Sequence, residues 1–255
     1  MTRRKIAIFD LDDTLIDTSH VYWTSRTVFI DLLVAEGLER ELILTTFEGI
    51  DGKHIIQYGY VPERYERSMV ATYSHLCVKR NIRPKTRVIN EIRLAARIVQ
   101  EQVPELIAGA LQVLAGAKAL GYVMVLVTRG INVVQNKKLS FHGLVKYFDY
   151  VNIVPKKSAV TFAEVIRELD AEPEDAWVIG DSIKSDINPA IETGANAILY
   201  LYTHHSYYWQ QEYGVQPAGF FRLARNLSEV LSILENSSHA PLILQVPLRD
   251  PTLPI

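Results

Sequence analysis

The chain has 255 residues, 48% of them hydrophobic, and balances 27 Lys plus Arg against 29 Asp plus Glu for a formal net charge of -2. Such a length can bury one large core, or a core with an inserted lobe, and no run of like charge is long enough for a nucleic-acid-binding tail or a polybasic membrane patch. The single cysteine, Cys77, rules out an internal disulfide and a cysteine-rich metal cluster, and reads as a small buried apolar residue.

In chain order, the first element is the apolar run KIAIF (5–9), which predicts a buried strand. Only four apolar residues separate the basic start from Asp10, too few for a secretory leader, so a cytoplasmic protein is expected. The strand runs into FDLDDTLID (9–17), where Asp10, Asp12, Asp13 and Asp17 repel one another unless something offsets their charge. From Thr18 to about Val103 the rhythm is helical, with amphipathic patterns over 21–37, 63–80 and 86–102, punctuated by Pro62, Pro84 and Pro104 and by Gly37 at a helix end. An inserted helical lobe is inferred. GIDGK (49–53) is read there as a loop approaching the site or a turn between helices. Tyr22, Trp23, Arg26, Tyr58, Tyr60, Arg64 and Tyr65 are candidates to face a cleft.

The stretch from Ile107 to Val127 approaches the length of a membrane span. Gln112, Lys118 and three glycines instead indicate a helix ending near Gly121 and then a strand, VMVLV (123–127). YVNIV (150–154), AWVIG (176–180) and AILYL (197–201) are further short apolar runs, read as strands covered on both faces, with helical patterns at 158–170 and 188–194 between them. This alternation predicts an α/β fold with a doubly wound parallel sheet, whose ligands bind beyond the carboxyl ends of the strands. Beyond the last strand, the aromatic stretch 200–214 is a candidate rim of the site, and 227–234 reads as a final surface helix. The proline-rich tail is left as either an extended strap or a free end. The division is therefore 1–17 and 104–236 as the core, 18–103 as a helical cap, and 237–255 as the tail.

Asp10, Thr128 and Asp181 all fall at strand ends, and two acidic loops there, one with Asp10 and Asp12 and one with Asp181 and Asp186, can converge on a single ion. Hard oxygen donors of this kind suit Mg²⁺. An aspartate can also attack phosphorus to form an acyl phosphate, provided a nearby acid protonates the leaving alcohol and later serves as base toward water. Asp10 as nucleophile and Asp12 as proton shuttle meet that need. Thr128 offers a hydroxyl to the phosphoryl group, and VPKKS (154–158) offers a lysine, either Lys156 or Lys157.

The set DLDDTLID, VLVTRG, KKS and GDSIKSD resembles the haloacid dehalogenase superfamily, over roughly Lys5 to Leu234. The resemblance implies a Rossmann-like core with an inserted cap and a Mg²⁺-dependent phosphatase acting on a small-molecule phosphate ester. It makes Asp10 the nucleophile and a metal ligand, and Asp12 the acid/base that meets the metal through its backbone carbonyl. Asp181 completes the metal site, supported by Asp186 and Ser182. Thr128, Arg129 and Lys157 become phosphate-binding residues, Lys157 being preferred over Lys156 because Ser158 follows it. Arg129 departs from the familiar Asn of the second motif, and Asp13 from the familiar Gly of the first. An acid two places after the nucleophile favours phosphoryl chemistry over carbon–halogen cleavage. A phosphomutase and a catalytically silent binding protein remain the alternatives; substrate identity and oligomeric state are left open.

Overall fold

The computed structural model describes residues 4–201 and 215–237. Among the described residues, six parallel strands form one sheet: β1 (Ile6–Phe9), β2 (Val123–Arg129), β3 (Tyr150–Val154), β4 (Ala176–Gly180), β5 (Asn196–Tyr200) and β6 (Arg222–Ala224). Their order, β3-β2-β1-β4-β5-β6, reverses direction at β1, so the carboxyl ends of β1, β2 and β4 border one crevice.

The strands alternate between two apolar layers, as their side-chain period of two requires. Ala7, Phe9, Met124, Leu126, Trp177 and Ile179 meet α5 (Ala110–Ala119) and α9 (Leu227–Glu235) on one face. Ile6, Ile8, Val125, Val127 and Val178 meet α7 (Ala159–Glu168) and α8 (Asn188–Glu192) on the other. Central strands buried on both faces explain why their sequences are continuously apolar. β3 departs from that expectation: it is the edge strand, and Tyr150 and Val151 are exposed.

Between β1 and β2 the chain forms α1 (Thr18–Ala35), α2 (Arg40–Tyr58), α3 (Pro62–Lys79) and α4 (Thr86–Glu101). Asp17 caps α1 by accepting from the His20 N–H at 2.9 Å. The four helices share their own apolar cluster, which includes Phe29, Leu33, Phe47, Tyr65, Met69 and Ile92. The chain enters and leaves them side by side: Asp17 N–H donates to the Glu105 carbonyl at 2.8 Å and Ile107 N–H to that of Leu15 at 2.9 Å.

Two expectations for this region need correction. GIDGK (49–53) is neither loop nor turn but lies within α2, because Ile43 and Phe47 bury its inner face and the buried Asp51 carboxylate pairs with Arg64. Arg64 and Tyr65 are buried among the helices and do not face a cleft. The stretch 107–127 divides into α5 and β2, as expected, and no helix among the described residues is long and apolar enough to cross a membrane. Most of the aromatic stretch (202–214) and the tail (238–255) lie outside the described residues.

Candidate active site

A cleft of about 690 Å³ opens between the strand ends and the four helices. Asp10 stands at its floor, one residue beyond β1, with its backbone N–H bonded to the Ile179 carbonyl of β4 at 2.9 Å. Lys157, which follows β3, places its ammonium 2.8 Å from Asp10 Oδ1 and 2.5 Å from Asp186 Oδ1, and is buried with both. Lys156 is exposed.

Asp186 is carried back under the β4 end by a single π turn, Ile183–Ile187, which leaves its carboxylate against Gly180. Any Cβ at position 180 would overlap that carboxylate, so glycine is required here for close approach. The Ser182 N–H donates to Asp186 Oδ2 at 3.3 Å, and Ser182 Oγ caps the turn by accepting from the Ser185 N–H at 2.9 Å. One oxygen from each of Asp10, Asp181 and Asp186 lies within 4.8 Å of the others.

Three carboxylates against one ammonium leave excess negative charge in a dry place. Burial pushes the Asp10 carboxyl up to about 7 despite the Lys157 ammonium, with Asp186 adding repulsion. The Asp181 carboxyl is pushed well above its usual range by burial and by Asp13 and Asp10, and Lys157 is held firmly protonated because its two carboxylate neighbours outweigh its burial. A divalent cation among hard oxygen donors would relieve this excess, so the donor set fits Mg²⁺.

Asp12 points elsewhere. Its Oδ1 accepts from Lys138 Nζ at 2.6 Å and from the Thr18 hydroxyl, and its Oδ2 accepts from Gln135 Nε2 at 2.7 Å. Burial would raise this carboxyl, but Lys138, Thr18 and Gln135 together hold it below the usual range. Gln135 Nε2 also lies 2.7 Å from Thr128 Oγ1 and so ties Asp12 to the end of β2. Gln135 and Lys138 lie three apart on α6 (Asn132–Phe141), one face of which looks at the site. Neither was expected from sequence; the only signal is that three-residue spacing directly after the β2 loop.

Asp13, read as a loop residue, is buried with φ +58°, a backbone region that the familiar glycine enters freely and aspartate tolerates. It accepts from the Ser19 N–H at 2.7 Å and the Ser19 hydroxyl at 2.8 Å, pinning α1 to the acidic loop, and burial raises its carboxyl to about 7. Of the candidate cleft residues in the helical lobe, Tyr22 on α1 and Tyr60 between α2 and α3 line the cavity. Arg129 reaches across to Tyr60, its guanidinium 4.2 Å from the ring centre.

The family model for haloacid dehalogenase-like hydrolases matches residues 7–200. The glyceraldehyde 3-phosphate phosphatase of Pyrococcus furiosus is 23% identical over 207 residues, 79% of this chain and 82% of that protein. The protein of the same name from Methanopyrus kandleri is 25% identical over 199 residues, 74% of this chain and 81% of its own length. Among solved structures, a haloacid dehalogenase-like family hydrolase from Xanthomonas campestris matches with a TM-score of 0.71 at 25% identity, over 92% of this chain and 96% of that one.

Proposed function

The chain belongs to the haloacid dehalogenase-like hydrolases, and from that premise we propose that it is a Mg²⁺-dependent phosphatase that hydrolyses a small phosphorylated metabolite through an aspartyl-phosphate. The observation that carries this reading is the buried Asp10–Lys157–Asp186 chain beside Asp181, a nucleophile-grade carboxylate with a fixed cation on one oxygen. The phosphatase names of the archaeal relatives support the same reaction class.

Lys157 holds Asp10 Oδ1, which leaves Oδ2 to attack phosphorus as the bond to the departing alcohol breaks. Asp12, ionised by its contacts in this structure, takes up a proton from solvent as the substrate binds and gives it to that alcohol. Water then attacks the aspartyl-phosphate, Asp12 takes the water's proton, and the bond from phosphorus to Asp10 breaks to free phosphate. The Asp12 carboxylate is confined by Gln135, Lys138 and Thr18 within two residues of the nucleophile, as a group serving both half-reactions must be. Thr128 and Lys157 bind the phosphoryl oxygens. Asp10, Asp181 and the Asp12 backbone carbonyl would hold Mg²⁺, supported by Asp186 and Ser182, and the ion would supply positive charge against the phosphoryl group. Helices α1–α4 act as the cap, with residues 1–17 and 104–236 as the core.

Trapping the intermediate tests this reading. Brief incubation with Mg²⁺ and a reactive acyl phosphate should yield an acid-stable, hydroxylamine-labile phosphoprotein with the label on Asp10. A label on another residue, or none in protein that is turning over, contradicts it.

A further inference from the structure

We propose that Arg129 and Tyr60 form a second anion subsite, so that the preferred substrate is a phosphate ester whose alcohol portion carries another negative group, a carboxylate or a second phosphate. This rests on the phosphatase reading of the same cleft and extends it from the reacting group to the rest of the substrate.

Arg129 ends β2 one residue after Thr128. Thr128 bonds to Gln135 at the floor of the cleft, and Arg129 also lines the cleft, reaching Tyr60. Among the other cations lining the cleft, Lys157 is matched with Asp10 and Asp186 and Lys138 with Asp12, while Lys184 is exposed on the second acidic loop. Arg129 is half-buried and has no carboxylate partner among the described residues. Desolvating a guanidinium without an anion is unfavourable, and its contact with the Tyr60 ring offsets only part of that cost. A guanidinium laid over a ring keeps its N–H donors, which lie in its own plane, for a planar or tetrahedral oxyanion.

Tyr60 belongs to the connection between α2 and α3, so the subsite spans core and helical lobe. The exposed Lys137 adds positive charge to the same wall; Glu63 of α3 also lines the cleft but is exposed and hydrated, which weakens the cationic wall without cancelling it. A cavity of about 690 Å³ leaves ample room beyond a phosphoryl group for a substrate with a second anchored end. The substrate named for the archaeal relatives has an uncharged aldehyde end, and the proposal separates this chain from them.

The test is equilibrium binding to full-length Mg²⁺-loaded protein in an Asp10→Asn background, so that no ligand is consumed. Two matched pairs serve as probes: 3-phosphoglycerate against glycerol 3-phosphate, and fructose 1,6-bisphosphate against fructose 6-phosphate. In at least one pair the more charged member should bind about tenfold tighter or better, the size expected of a charge-assisted contact, and the pair that does so identifies carboxylate or phosphate as the second group. Arg129→Met should bring the ratio close to one; Tyr60→Leu should lower it, while Tyr60→Phe, which keeps the ring, should preserve it. Ratios near one in the Arg129-intact protein, no binding of any probe, or an equal weakening of both members by Arg129→Met would overturn the inference, the last because Arg129 would then serve the reacting phosphoryl group itself. Protein with Asp10 intact separates the two readings. A binding preference without Mg²⁺-dependent turnover fails the phosphatase alone, and turnover with ratios near one fails the subsite alone.

Discussion

The four carboxylates of residues 10–17 have four different environments, and their shared spacing conceals this. Asp10 is tied to Lys157, Asp12 to Lys138 and Gln135, Asp13 to Ser19, and Asp17 to the first turn of α1. Motif reading singled out Asp10 and Asp12, because the roles proposed for them depend on fixed offsets along the chain. It could not reach Gln135 and Lys138, which look like the polar face of an ordinary helix until β2 and β1 pair. The Lys138 contact has a testable consequence. Burial favours the protonated form of Asp12 and Lys138 is the largest opposing influence, so Lys138→Met should move the alkaline limb of the kcat/KM profile, where Asp12 loses the proton it must donate, to higher pH, with Lys138→Arg restoring it. At Gly180 even one methyl group overlaps Asp186. Gly180→Ala should cost about 1–3 kcal/mol in denaturant unfolding, and phosphate release should fall because Asp186 can no longer hold Lys157 in register.

At the scale of elements, the central strands were legible because double burial leaves a continuous apolar run, as in AWVIG and VMVLV. β3 has similar composition but sits at the edge, and nothing in an isolated run separates an edge strand from a central one. α2 was obscured by Gly49 and Gly52, each costing about 1 kcal/mol against alanine in a helix interior. Burial of Ile43 and Phe47 and the Asp51–Arg64 pair outweighs that local preference. The prediction is that Phe47→Ala, which empties the centre of the lobe next to Phe29 and Tyr65, destabilises the protein by about 3–5 kcal/mol in chemical denaturation. Gly49→Ala, with open space around the added methyl, should stabilise it slightly.

At the scale of the whole molecule, the sheet gathers loops from residues 10, 128, 157 and 181 at one edge, and the four helices close over them. Charge gathered in this way makes stability depend on pH. Burial raises the Asp10 and Asp13 carboxyls to about 7, and Asp181 is also raised. An acid with a raised folded pKa binds its proton more tightly in the native state than in the unfolded chain. Metal-free protein should therefore lose stability as pH rises from about 4 to about 7. Saturating Mg²⁺ should reverse that trend and raise Tm at pH 7.5 by several degrees, as expected of a ligand that binds only the folded state. Calorimetry with and without chelator checks both signs. The central claim, that these loops form a metal-dependent phosphoryl-transfer site with Asp10 as nucleophile, is tested most directly by the rate of phosphate release from p-nitrophenyl phosphate. Native protein should turn over with Mg²⁺ and stop with chelator, and Asp10→Asn should reduce the rate by about a thousandfold or more; a rate indifferent to the metal or to that substitution would contradict the account.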